Sequence, residues 1–226
     1  MYATGRHLAL TLEGIEAFDL PAPDVVACDV GTSLYWWRGG AMTADDGYRE
    51  RIASAPGVLP AAEVRARLDG VAGLSPQDEE RQADFKVSYH VDRPLDEGLL
   101  AELRRRLAPG RLRLVASHDS VSGRGLLDVL PSEVGKATAI RWVADVLRLS
   151  DDEVVFAGDS GNDRDAILAG TRAIVVGNAP SGLRSELRGE ATRSGVESRV
   201  YFASAPHAEG VVEGLGHFGA WPTPDL

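Results

Sequence analysis

Apolar residues recur at helical spacing at Leu8, Leu12, Ile15 and Phe18, so His7 to Phe18 reads as an amphipathic helix, ended by Pro21 and Pro23. Asp24 to Asp29 then reads as a short buried strand, and Leu34 to Trp37 as an extended continuation. Residues 38 to 83 are polar and helix-prone, broken at Gly39-Gly40 and Pro56-Gly57. Beyond them the period changes to two. Phe85, Val87, Tyr89 and Val91 alternate with polar residues, which predicts a strand with one wet face. Leu99, Leu100, Leu103 and Leu107 predict a helix stopped by Pro109-Gly110. Leu112, Leu114 and Ala116 alternate again, and Leu126 to Leu130 is a further strand candidate.

The last third has a different rhythm. A helix over Ala137 to Leu147 precedes a buried strand over Glu153 to Ala157. A short helix over Asp163 to Ala169, a strand over Ala173 to Val176 and a short helix over Leu183 to Leu187 follow. A strand over Val200 to Ala203 and a helix over Glu209 to Phe218 close the series. Regular alternation of strand and helix implies right-handed crossovers and a parallel sheet. The fold class expected is therefore α/β, with residues of about 38 to 130 forming a strand-rich α/β unit of their own.

Composition narrows the function. The net charge of -10 offers no broad cationic surface for a nucleic-acid backbone or an anionic membrane, although a small phosphorylated ligand needs only a local cationic pocket. No apolar run reaches the roughly 18 residues of a membrane span. The single cysteine, Cys28, excludes an internal disulfide and points to a reducing, cytoplasmic compartment. The only lysines are Lys86 and Lys136, so each carries unusual information.

The chemistry gathers at Gly158-Asp159-Ser160-Gly161-Asn162-Asp163, directly after a predicted strand, where ligands of parallel sheets bind. The two glycines let the chain turn tightly enough for Asp159 and Asp163 to converge. Converging carboxylates repel unless a cation joins them, and an oxygen-ligand site with few protein donors suits Mg²⁺. The competing reading is a solvated turn that caps a helix. Lys136 begins the preceding helix, against the dipole preference, as an anion held there would explain; a surface lysine with no task is the competing reading.

The segments Leu127 to Pro131, Gly135-Lys136, Gly158 to Asp163 and Val176 to Ala179 resemble the C-terminal half of haloacid dehalogenase-type sugar phosphatases, and more narrowly the sucrose-phosphate phosphatase branch. Pro23 to Val25 with Val30 to Tyr35, Phe85 to Tyr89, and Ala208 to Gly219 resemble further segments of that branch. The resemblance implies a Rossmann-like parallel-sheet core lacking its first strand, formed by residues 1–37 and 131–226, with an inserted α/β cap at 38–130. It implies Asp159 as a Mg²⁺ ligand, Asp163 as support for the metal, Asn162 as an organiser of the loop, and Lys136 as the group that binds and offsets the phosphoryl charge. Tyr2 to Arg6 resembles the family's second motif, which makes Thr4, with the Gly5 N–H, a phosphate contact.

The same resemblance places the attacking carboxylate in an Asp-x-Asp-x-Thr motif upstream of Thr4, and the sequence has none. A start codon placed too late, a fragment and a non-catalytic sensor of sugar phosphates each account for this. The first is favoured, and the chain as written is expected to hydrolyse little. Asp29-Val30-Gly31-Thr32 superficially resembles that motif, but it fits the strand entering the cap better. Gln82, Lys86, Ser88 and Thr32 are the sugar-contact candidates that the resemblance supplies; an exposed strand face is the competing reading for Lys86 and Ser88. Where the branch commonly has Glu after Val-Gly-Thr, this chain has Ser33, so the sugar need not be that of sucrose phosphate. Trp36 and Trp37 suit core packing better than stacking on a sugar. The expected ligand is a small sugar phosphate, and the expected protein partner a sugar-phosphate synthase. The alternative is an inactive sugar-phosphate-binding domain or a general phosphosugar phosphatase.

Overall fold

β1 (Tyr2–Ala3) runs parallel to β2 (Val25–Cys28), and α1 (Leu8–Ala17) makes the crossover between them. β2 is wholly buried, as its unbroken apolar run requires. The chain then turns antiparallel into β3 (Ser33–Arg38) and β4 (Ala41–Ala44), giving a sheet of order β1-β2-β3-β4. The β3–β4 hairpin closes through Gly39 and Gly40, at φ 60° and 86°, the left-handed pair that a two-residue turn favours. These coordinates come from a computed structural model that describes residues 1–93, 95–118 and 124–220. The chain divides into two units, Met1–Gly135 and Lys136–Leu226.

The first unit continues through α2 (Asp46–Ala53), α3 (Ala61–Leu68), β5 (Leu74–Pro76), β6 (Val87–Val91), α4 (Glu97–Leu107), β7 (Leu112–His118) and β8 (Gly125–Pro131). Its second sheet is antiparallel, of order β5-β6-β8-β7. One face carries Val87, Tyr89, Val91, Leu127 and Val129 and packs against Val64 and Leu68 of α3 and Leu99, Leu103 and Leu107 of α4. The opposite face of β6 corrects the expectation of a wet surface. Lys86, just before the strand, is 5% exposed and Ser88 is 1% exposed. The reason is the segment Gln77 to Gln82, which covers Ser88: its Oγ donates to Arg81 O (3.2 Å), and the Gln82 amide bonds the Ser88 backbone. β4 and β5 escaped the hydrophobic pattern because each is short and buries none of its residues fully.

The second unit alternates as expected: α5 (Lys136–Leu147), β9 (Val155–Gly158), α6 (Arg164–Ile167), β10 (Arg172–Val175), α7 (Ser181–Arg193), β11 (Val200–Phe202) and α8 (His207–His217). Its sheet is parallel, of order β11-β10-β9. β9 was expected to be buried, yet within it only Phe156 is. α7 is far longer than the predicted Leu183 to Leu187, because it buries only Leu187 and Ala191 and leaves little periodic signal. α8 lies close upon β10. A Cβ on Gly214 would stand 2.5 Å from the Ile174 side chain, and one on Gly210 would stand 2.3 Å from Ala205 O.

Candidate active site

The loop after β9 is organised around one carboxylate. Asp163 is 4% exposed, and its Oδ1 accepts from Lys136 Nζ at 2.5 Å. Its Oδ2 accepts from the Asp159 N–H (3.1 Å), the Ser160 N–H (2.9 Å) and Ser160 Oγ (2.9 Å). Lys136, 4% exposed, also donates to Asn162 Oδ1 (2.8 Å), which receives Ser160 Oγ (2.7 Å) as well. Lysine at the start of α5 is thus compensated by a buried counter-charge, and the Ala137 N–H of the same helix end is taken by Asp165 Oδ2 (3.1 Å). Gly158 is required here, since a Cβ would lie 2.7 Å from Asp163 Cγ. Gly161 is not: it has open space around it and no left-handed φ, so only one of the two glycines shapes the turn.

Asp159 differs in every respect. It is exposed, and its Oδ2 accepts from Asn178 Nδ2 at 2.7 Å. Asn178 Oδ1 in turn accepts the His207 N–H (2.8 Å). The loops that follow β9, β10 and β11 are therefore tied together at the C-terminal ends of three neighbouring parallel strands, where ligands of such sheets sit. Among the described residues no group of three or more His, Cys, Asp and Glu side chains is arranged to hold a metal ion. The exposed Asp159 carboxylate is compatible with Mg²⁺, which takes one or two protein carboxylates and keeps waters and phosphate oxygens. Asp163, with four donors already, suits an organiser of the loop. Sequence reasoning gave no role to Asn178 or Ser160; their place in loops at strand ends was the available signal.

In the first unit Thr4 follows β1. Its N–H donates to Ala27 O (2.9 Å), and its Oγ1 accepts the Arg6 N–H (3.2 Å). A cavity of about 420 Å³ is lined by Asp29, Thr32, Ser33, Tyr35, Tyr48 and Gln82, among others. Arg49 and Asp84 also line it and form an exposed ion pair at 2.5 Å. Of the expected sugar contacts, Thr32 and Gln82 reach this wall, whereas Lys86 and Ser88 do not line it. Gln82 and Ser88 serve the fold. The Gln82 amide donates to Gln77 O (3.0 Å) and Ser88 O (2.9 Å) and accepts the Ser88 N–H (2.9 Å), while Ser88 Oγ donates to Asp128 Oδ1 (2.6 Å). Trp36 is buried, with its Nε1 donating to Asp45 (2.8 Å), and Trp37 is 48% exposed; neither lines the cavity.

Lys86 meets Asp29 instead, Nζ to Oδ1 at 3.2 Å, with both side chains almost fully buried. Burial pushes the Asp29 carboxyl above its ordinary range, against the opposing pull of Lys86. Burial likewise pushes the free Cys28 thiol up to about 12, which makes it inert. Asp29, Val30 and Gly31 are all left-handed, at φ 53°, 59° and 88°. Tyr48 OH donates to Gly31 O (2.6 Å) and Thr32 Oγ1 to Asp29 O (2.9 Å), which holds the turn in place.

The family model described as Sucrose-6F-phosphate phosphohydrolase matches residues 1–219. A chain from Nitrosococcus oceani described as a HAD-like hydrolase is 32% identical, over 96% of this chain and 61% of its own length. The chain thus spans under two thirds of that relative. A mannosylfructose-phosphate phosphatase of Agrobacterium fabrum is 30% identical, over 98% of this chain and 84% of its own. A glucosylglycerol-phosphate synthase of Pseudomonas anguilliseptica is 27% identical over 96% of this chain, but this covers only 26% of the synthase. The sucrose-phosphatase of Synechocystis sp. PCC6803, solved with sucrose and phosphate, superposes with a TM-score of 0.78 at 25% identity, covering 96% of this chain and 83% of that one. A HAD subclass IIB sugar phosphatase shares the fold, with a TM-score of 0.60 at 15% identity. The chain belongs to the sucrose-6F-phosphate phosphohydrolase family of the haloacid dehalogenase superfamily.

Proposed function

We propose that this chain carries the phosphate- and metal-handling part of a Mg²⁺-dependent phosphatase acting on a phosphorylated disaccharide or glycosyl polyol. The observation that carries the reading is the buried Lys136–Asp163 pair beneath the exposed Asp159. Asp159 is the proposed Mg²⁺ ligand. Mg²⁺, when bound, supplies charge neutralisation at the phosphoryl oxygens. Lys136, held by Asn162 and Asp163, offsets the remaining charge of the transferring group, and Asp163 fixes both the lysine and the loop. Thr4 and the Gly5 N–H are further proposed phosphate contacts. Residues 1–37 and 131–226 are assigned to the catalytic core and 38–130 to the cap that reads the leaving group. The cavity beside Thr32 and Gln82 is the proposed sugar site.

In this mechanism an aspartate of an Asp-x-Asp-x-Thr segment forms an aspartyl-phosphate, and the 226 residues contain no such segment. We assign the attack to the carboxylate of such a segment, and the residues present here to holding the phosphoryl group and the metal. The second reading is a domain that binds sugar phosphates without hydrolysing them. A cytoplasmic setting fits the single buried cysteine, and no described helix is long and apolar enough to cross a membrane. The match to part of a glucosylglycerol-phosphate synthase supports a glycosyl-phosphate synthase as the functional partner. The test is phosphate release from sucrose phosphate, mannosylfructose phosphate and glucosylglycerol phosphate, with Mg²⁺ and with chelator. It uses the 226-residue chain and the same chain extended by a strand bearing Asp-x-Asp-x-Thr. Mg²⁺-dependent release by the extended protein alone is expected. Sugar-phosphate binding with no release by either protein would favour the second reading.

A further inference from the structure

We propose that Asp29 is a specificity-determining residue, the carboxylate that accepts a hydrogen bond from a hydroxyl of the sugar. The inference rests on the cavity of the first unit being the sugar site.

Three observations converge on this residue. Asp29 lines the cavity together with Thr32 and Ser33. It is 3% exposed; the Ser33 side chain bonds its carboxylate, but its Oδ1 has no hydrogen-bond partner of good geometry among the described residues. Lys86 stands 3.2 Å from that oxygen and is itself 5% exposed. A buried ion pair that is only partly hydrogen-bonded costs stability, so a fold that keeps one invites an explanation. Third, Asp29 and the β-branched Val30 are held at positive φ, and strain of this kind gathers at functional sites. Tyr48 and Thr32 bond the same turn and line the same cavity, so the strained segment is braced from the cavity side.

A sugar hydroxyl supplies what the pair lacks, because it donates to a carboxylate while its oxygen stays free to accept. Lys86 favours the ionised form of Asp29, against the effect of burial, and holds it in place; it is a positioning residue. Isosteric replacement by Asn keeps the left-handed conformation accessible, since Asn tolerates it.

The test is calorimetric binding of unphosphorylated sucrose, trehalose and glucosylglycerol, and of the monodeoxy derivatives of the tightest of them, to the 226-residue chain. The proteins compared are the parent, Asp29→Asn, and the double variant Asp29→Asn with Lys86→Met, which retains no buried charge and so guards against simple misfolding. Binding is expected to weaken about tenfold or more in both variants. One deoxy position should weaken the parent by a similar factor yet leave Asp29→Asn unaffected. Equal loss of affinity for every deoxy sugar in parent and variant would overturn the proposal, as would unchanged affinity in the folded double variant, or no binding of any of the three sugars at millimolar concentration. The readout needs no phosphate release, so failure of the phosphatase reading and failure of this inference are separable.

Discussion

The two lysines of this chain are both buried, both paired to a buried aspartate, and treated in opposite ways. In the second unit the Lys136–Asp163 pair is saturated: the carboxylate takes four donors and the ammonium has a second acceptor in Asn162. In the first unit the Lys86–Asp29 pair is partly hydrogen-bonded and sits in a strained turn beside a cavity. A saturated pair is a rigid platform, suited to presenting the neighbouring Asp159 without moving. An unsaturated one keeps bonding capacity in reserve for something that arrives. The same residue types thus mark a scaffold in one place and a reading head in the other, and the hydrogen-bond count separates them.

The largest effect expected from breaking this contrast comes from Lys136→Ala. It strands a buried, hydrogen-bonded carboxylate and should cost about 3–5 kcal/mol in denaturant unfolding. Next comes Gly158→Ala, which drives a methyl into Asp163 and should cost about 1–3 kcal/mol. The double variant Asp29→Asn with Lys86→Met should change stability by less than about 1 kcal/mol or raise it, because a poorly bonded buried pair returns little for its desolvation. A loss as large as that of Lys136→Ala would erase the distinction between the two pairs.

The smallest effect depends on pH and concerns the segment before α8. Backbone N–H donors of Ala205 and Ser204, with the Tyr201 hydroxyl, hold the Glu213 carboxyl down to about 2. A depressed carboxyl stabilises the fold fully above its ordinary value of 4.5, and the benefit is lost as pH falls towards 2. The melting temperature of Glu213→Gln should therefore lie below that of the parent at pH 7, with the gap closing between pH 4.5 and 2.

Much of this was legible in the residues themselves. The apolar runs of β2 and β10 and the stripe Leu99, Leu103, Leu107 announced their elements, because burial on one or both faces leaves a periodic trace. The Gly158 to Asp163 loop was legible as chemistry because it falls at a strand end. The different fates of Asp159 and Asp163 were not, since they depend on Asn178, which is distant in sequence. β6 misled for a related reason. Its polar positions face not water but a segment folded over them, and alternation in one strand cannot reveal what covers its far side. Asp29 was visible only as a doubtful nucleophile, because its partner Lys86 is distant in sequence.

The central claim is that the Asp159 loop handles metal and phosphate. The most direct measurement is Mg²⁺-dependent phosphate release from a phosphorylated disaccharide by the protein carrying its Asp-x-Asp-x-Thr segment, with and without Asp159→Asn. The account predicts a fall on the order of 10²-fold or more, with unfolding by denaturant unchanged. Parental rates in that variant would contradict it.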